Sequence, residues 1–152
     1  MTQSTSTRTL LSCGIAASVL YALVNVIVPL FATDYSTMND TVSELSAIGA
    51  PTRTLWLVLV LPYGPLFALF GWGVWRAASN RWLLAAGWLL FFYGILNLYW
   101  PAMHTRQSLA AGGGTLSDTL HLVCAGTSVA MFVLILVTAA AGMDRHFRAF
   151  TA

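Results

Sequence analysis

The sequence predicts an all-α integral membrane protein, a four-helix bundle with a short amphipathic interfacial helix between spans one and two, folded as a single membrane domain over residues 1–152. Three observations carry this reading. Apolar residues make up 58% of the chain and charged residues only 8%, whereas a soluble domain needs about a quarter charged residues to build its water-facing shell. Mean hydropathy is +0.76. The few charges leave four uninterrupted gaps, 9–33, 54–75, 82–105 and 119–143, and each is long enough to cross a hydrocarbon core that needs about 20 helical residues. Such a composition excludes a soluble enzyme, a disordered chain, a nucleic-acid binder and a disulfide-rich secreted domain.

Span one is expected over about 9–33. Backbone groups in lipid must bond within their own segment, so apolar runs of this length read as helices and not as barrel strands of about 10 residues. Its apolar run from Leu10 to Ala32 is longer than a secretory signal core, and only Arg8 precedes it, so the segment is expected to be retained. Gly14, Ala16 and Ala17 are small enough to let another helix approach closely.

The connection that follows contains Asp34, Asp40 and Glu44. Thr41 with Glu44 three residues on matches a capping box, Val42, Leu45 and Ile48 make a narrow apolar stripe, and Gly49 before Pro51 supplies a stop. On an α-helix Asp40, Ser43, Glu44 and Ala47 share the opposite face. Two carboxylates and a hydroxyl held together there could shift one acid toward general acid or base work; the plainer reading is a cap with solvated charges.

Span two, about 54–75, carries Pro62, Gly64 and Pro65 near its centre and is expected to kink there. Gly71 and Gly73 are further close-approach positions. Span three runs over about 82–101 and span four over about 118–143. Arg8, Arg76, Arg81, Arg145 and Arg148 lie on one side against Arg53 and Arg106 on the other. The positive-inside bias therefore puts both termini in the cytoplasm, with the polar loops extracytoplasmic and the cytoplasmic membrane as host. Cys13 and Cys124 fall at different depths and read as packing residues, not a disulfide.

The polar groups collect on one side. Asp34, Asp40, Glu44 and Asp118 lie in the outer connections with His104, His121, Arg53 and Arg106. The outer halves of the spans carry Tyr21, Asn25, Tyr63, Tyr93, Asn97, Thr127 and Ser128, while the inner halves of spans two and four are almost wholly apolar. Polar side chains in lipid are costly unless partnered. The distribution therefore predicts a polar pocket open outward and closed inward, with helix-to-helix bonding as the simpler account of any one residue. His121, inside span four, is the sharpest candidate, and Asp118 one turn earlier is its expected partner. The second outer connection also holds Gly112, Gly113 and Gly114, either a lid or a slack linker.

Three chemistries fit this set. A divalent metal could take His104, His121, Asp118 and Glu44 or Asp40 as ligands, although no HExxH or CxxC spacing occurs. A metal-free acid/base site would use Glu44, Asp118 and His121, with Asp40, Ser43, Asn25, Tyr63, Asn97, His104 and Arg106 binding the substrate. In the non-enzymatic alternative the same residues bind a lipid or a partner, or brace the loops. Haem is disfavoured, because His104 would have to fold back onto His121. The expected ligand is a hydrophobic small molecule, a lipid or isoprenoid, undergoing hydrolysis or proton-transfer isomerisation or cyclisation. No nucleic acid is expected. Four short spans enclose little volume, which leaves a homo-oligomer open.

The segment Ser43-Glu-Leu-Ser-Ala-Ile-Gly-Ala-Pro51, with Trp100-Pro101 and Asp118-Thr-Leu-His-Leu-Val-Cys-Ala-Gly126 further on, resembles a bacterial integral-membrane family called domain of unknown function 998. The resemblance covers residues 10–142. It implies the membrane topology and singles out Ser43, Glu44 and His121 without bringing a reaction with it.

Overall fold

The computed structural model describes residues 5–33 and 35–143; Asp34, Arg145 and Arg148, all used in the sequence reading, lie outside them. Among the described residues six α-helices follow in order: α1 (Thr5–Ile27), α2 (Arg53–Val60), α3 (Tyr63–Ala77), α4 (Arg81–Leu96), α5 (Arg106–Ala110) and α6 (Leu116–Gly142). Helix α1 runs on into a 3-10 turn, Val28–Phe31, where Pro29 lacks the N–H that an α-helix would use. Among the described residues three apolar helical stretches are long enough to cross a membrane, Thr5–Phe31, Arg53–Ala77 and Leu116–Gly142. The protein is thus an all-helical membrane bundle.

Span two breaks where its prolines predict. Helix α2 stops at Val60, Leu61 and Pro62 turn, and α3 starts at Tyr63. Pro65 falls in the first turn of α3, where a missing N–H costs little. Span three is shorter than the 82–101 expected. Helix α4 has 16 residues, about 24 Å at 1.5 Å per residue, less than the roughly 30 Å of a hydrocarbon core. At its end the Leu98 N–H bonds only three residues back, to the Ile95 carbonyl, and the Asn97 side-chain amide adds a second donor to the Tyr93 carbonyl. At its other end Asn80 caps the helix by accepting from Trp82 and Leu83, and its amide donates to the Gly142 carbonyl at 2.9 Å, which ties the end of α6 to the start of α4.

The four long segments pack in chain order, α1 on α3, α3 on α4 and α4 on α6. Glycines set the closest of these approaches. Gly73 lies against Leu10 and Gly14 against Phe70 where α1 meets α3, and Gly64 and Gly71 meet the backbone of α4 around Gly94 and Gly87. Ala17 is fully buried, whereas Ala16 is exposed. One apolar cluster, Ala17, Phe67, Leu90 and Ile135, joins all four helices at mid-depth. A second, Val24, Val28, Leu45 and Trp56, lies at the end that carries the loops.

Leu45 is only 1% exposed, and that burial decides the shape of the first connection. Instead of an α-helix lying on the surface, Val42–Ser46 forms a 3-10 turn pushed into the end of the bundle, and Thr41 makes no side-chain cap. Burying Leu45 and Ala47 outweighs the cap, which is worth about 1 kcal/mol. The triple glycine follows the short helix α5, which the sequence reading lacked. Gly112, at φ +83°, takes the left-handed position that closes it, and the N–H groups of Gly112 and Gly113 bond back to Leu109 and Ser108.

Candidate functional site at the loop end of the bundle

The two long connections are sewn together over the ends of the helices. The Ile48 N–H donates to the Met103 carbonyl at 2.7 Å, and the Ser117 hydroxyl to the Ala102 carbonyl at 2.5 Å. Asp118 is the knot between them. Its carboxylate accepts the His104 N–H (2.7 Å), the Thr115 N–H (2.7 Å) and the Thr115 hydroxyl (3.0 Å), and lies 3.0 Å from His104 Nδ1. The expected pairing of Asp118 with His121 is therefore corrected. A carboxylate in the first turn of a helix points back to the unbonded N–H groups at the helix start, and those of Thr115 and the incoming loop claim it.

His121, one turn deeper, is 3% exposed and faces different partners. Its Nε2 lies 3.0 Å from the Ser43 hydroxyl, and its Nδ1 is 2.8 Å from the Pro101 carbonyl and 3.0 Å from the Trp100 indole N–H. The two contacts at Nδ1 are alternatives for a neutral ring, because the carbonyl requires a proton there and the indole requires a lone pair. With the proton on Nδ1, donated to Pro101, Nε2 is free to accept from Ser43. With the lone pair on Nδ1, Nε2 donates to Ser43.

Ser43 lines a cavity of about 160 Å³ together with Ser46, Arg53, Tyr63, Asn97 and Trp100, closed by apolar and aromatic groups from α1 and α2. Of the substrate-binding residues expected from the sequence, Ser43, Tyr63 and Asn97 line this cavity. Asn25 lies outside this lining, and its amide donates to the Tyr21 carbonyl within α1. The sequence groups Arg53 with the polar outer residues but gives it no role in the site, and it does not point to Trp100 or the Pro101 carbonyl as parts of it. A Trp-Pro pair directly after an apolar run was the available signal, because it marks a chain leaving its helix.

Asp40, Glu44 and Arg106 gather elsewhere, beside a separate cavity of about 480 Å³. Glu44 accepts the Arg106 backbone N–H at 3.2 Å, Asp40 lies 3.5 Å from the Arg106 guanidinium, and that guanidinium also donates to the Asn39 carbonyl. Ser43 and Glu44 therefore face different cavities, adjacent residues of this 3-10 turn pointing about 120° apart. The Arg106 side chain is 60% exposed. Arg106→Ala is expected to cost under about 1 kcal/mol, the range of solvent-screened pairs, since the backbone N–H that holds Glu44 survives the change. A larger drop in thermal unfolding in detergent would show that the guanidinium holds the loops together.

Among the described residues no three His, Cys, Asp or Glu side chains converge in a metal-ligand cluster. His104 and Asp118 pair, His121 turns to Ser43, and Glu44 takes the Arg106 N–H, so the four ligands expected from the sequence are not assembled.

No curated protein and no solved structure matches the chain. A family model described as "Protein of unknown function (DUF998)" matches residues 15–152, a stretch that holds Ser43, Trp100, Pro101 and His121, and the chain belongs to that family.

Proposed function

We propose that the protein is a membrane-embedded serine hydrolase acting on an ester or related acyl group of a lipid-like substrate, with Ser43 as nucleophile and His121 as its base. One observation carries this reading: the Ser43 hydroxyl on the wall of the cavity lies 3.0 Å from His121 Nε2, and His121 Nδ1 lies 2.8 Å from the Pro101 carbonyl. A nucleophile, a base within hydrogen-bond reach and a third group that orients the base are the parts that activate a serine. With Nδ1–H held by Pro101, Nε2 takes the Ser43 proton as Oγ attacks the acyl carbon. The same proton then passes to the departing alcohol or amine. Water adds to the acyl-serine in turn, with His121 again as base, and releases the carboxylic acid and the free serine. The apolar walls suit a substrate that enters from lipid with its polar end first. The Arg bias of the sequence supports a cytoplasmic-membrane location with this end of the bundle extracytoplasmic.

The test is labelling by a fluorophosphonate, which bonds covalently to activated serines. Purified protein is expected to be labelled, and Ser43→Ala or His121→Gln to lose the label by at least about 100-fold, the scale of general-base assistance, while still eluting as folded protein. A wild type that stays unlabelled sinks the proposal. The contact of the Trp100 indole with His121 Nδ1 favours the second reading, a non-catalytic lipid- or partner-binding subunit. In that tautomer Ser43 only accepts a hydrogen bond and braces the loop.

A further inference from the structure

Among the described residues, Arg53 brings the only charge to the lining of the cavity that Ser43 shares. Its guanidinium donates to the Ser46 carbonyl at 2.6 Å, which uses one of five N–H donors. The described carboxylates are committed elsewhere: Asp40 and Glu44 to Arg106, and Asp118 to His104 and Thr115. Arg53 is also the first residue of α2, where the positive end of the helix dipole disfavours a cation. A half-buried guanidinium beside an apolar cavity, against the dipole and with no carboxylate partner among the described residues, is one that a ligand's own negative charge would compensate.

We infer that this cavity binds the anionic polar end of an amphiphile, a carboxylate or phosphate gripped by Arg53, with the hydrocarbon chain running out between α1 and α2. At about 160 Å³ the cavity is smaller than the 300–1,000 Å³ typical of sites that enclose a whole ligand, so it has room for a head and its first carbons. Two residues of its wall, Tyr21 and Leu57, are 39% and 43% exposed. They form a rim on the lipid side over which the rest of a chain can lie. This assignment names the substrate class for the hydrolase proposed above and rests on that reading for its chemistry, but the binding stands on Arg53 alone.

The experiment uses the full chain in neutral detergent, carrying Ser43→Ala to prevent turnover. Quenching of tryptophan fluorescence by 9,10-dibromostearate, by its methyl ester and by a dibrominated phosphatidate reports occupancy, because Trp56 and Trp100 line the cavity. The two anionic probes are expected to quench at about tenfold lower concentration than the neutral ester, the effect of one charge-assisted hydrogen bond. A preference between them identifies carboxylate or phosphate as the source, and either result supports the assignment. Arg53→Gln is expected to erase the preference, Arg53→Lys to keep part of it, and Arg106→Gln, at the neighbouring cavity, to leave it intact. Equal quenching by ester and acids in the parent protein overturns the inference, as does a preference that survives Arg53→Gln. Retained preference without fluorophosphonate labelling would remove the hydrolase and leave the binding site, whereas labelling without preference would do the reverse.

Discussion

Gly94→Leu and Gly71→Leu are expected to yield no folded protein in detergent, and Gly94→Ala alone to cost about 3 kcal/mol, the upper end of overpacking penalties. A β-carbon on Gly94 would run into the Ala68 backbone nitrogen and come within 2.7 Å of the Gly64 carbonyl oxygen. On Gly71 it would meet the Phe91 nitrogen, with the Gly87 carbonyl oxygen at 2.8 Å. Every one of these obstacles is backbone, so no rotamer change relieves them, and α3 and α4 must move apart. In lipid the helices gain nothing from hiding apolar area from water, and close van der Waals packing is what holds them together. Gly126→Ala in α6 is the control. Its β-carbon would meet nothing within 4 Å, so the change should be neutral or stabilise by about 0.5–1 kcal/mol through helix propensity. Equal behaviour of the Gly94 and Gly126 variants in thermal unfolding and size-exclusion chromatography would show that the α3–α4 contact is looser than described.

The spans were legible because charge in lipid is costly, and the gaps between charges mark the helices directly. The break at Pro62 and the close approaches at Gly14, Ala17, Gly71 and Gly73 followed from the same sequence logic. The end of α4 did not. No charge separates Arg81 from Arg106, and Leu98, Tyr99 and Trp100 look as apolar as the helix before them. The helix gives way where the Leu98 N–H turns to the Ile95 carbonyl and the Asn97 amide takes the Tyr93 carbonyl, local bonds that hydropathy does not register. The site shows the same division. His121 stands out because an ionisable group inside an apolar span is expensive, but helical spacing points to Asp118 as its partner and says nothing about loops arriving from elsewhere. Ser43 and Glu44 were joined on one face by assuming an α-helix. The burial of Leu45 produced a 3-10 turn instead, which sent Ser43 to His121 and Glu44 to Arg106.

Asp118→Ala is expected to be the most damaging change at the loop end, costing about 2–4 kcal/mol. The variant loses the cap at the start of α6, worth about 1 kcal/mol, and leaves the N–H groups of His104 and Thr115 without the acceptor that both now share. An unsatisfied buried donor adds about 1–3 kcal/mol. Asp118→Asn separates anchoring from chemistry. Its carbonyl still accepts one N–H, but its amide turns a donor toward the others, so thermal stability should fall part of the way. Residues 101–115 should also exchange their amide hydrogens faster, because the second connection has lost its knot. Labelling of Ser43 in Asp118→Asn should persist below the unfolding temperature, since His121 is oriented by Pro101 and not by this carboxylate. The opposite pattern, unchanged unfolding with labelling abolished, would put Asp118 into the chemistry and return it to the role that helical spacing first assigned to it.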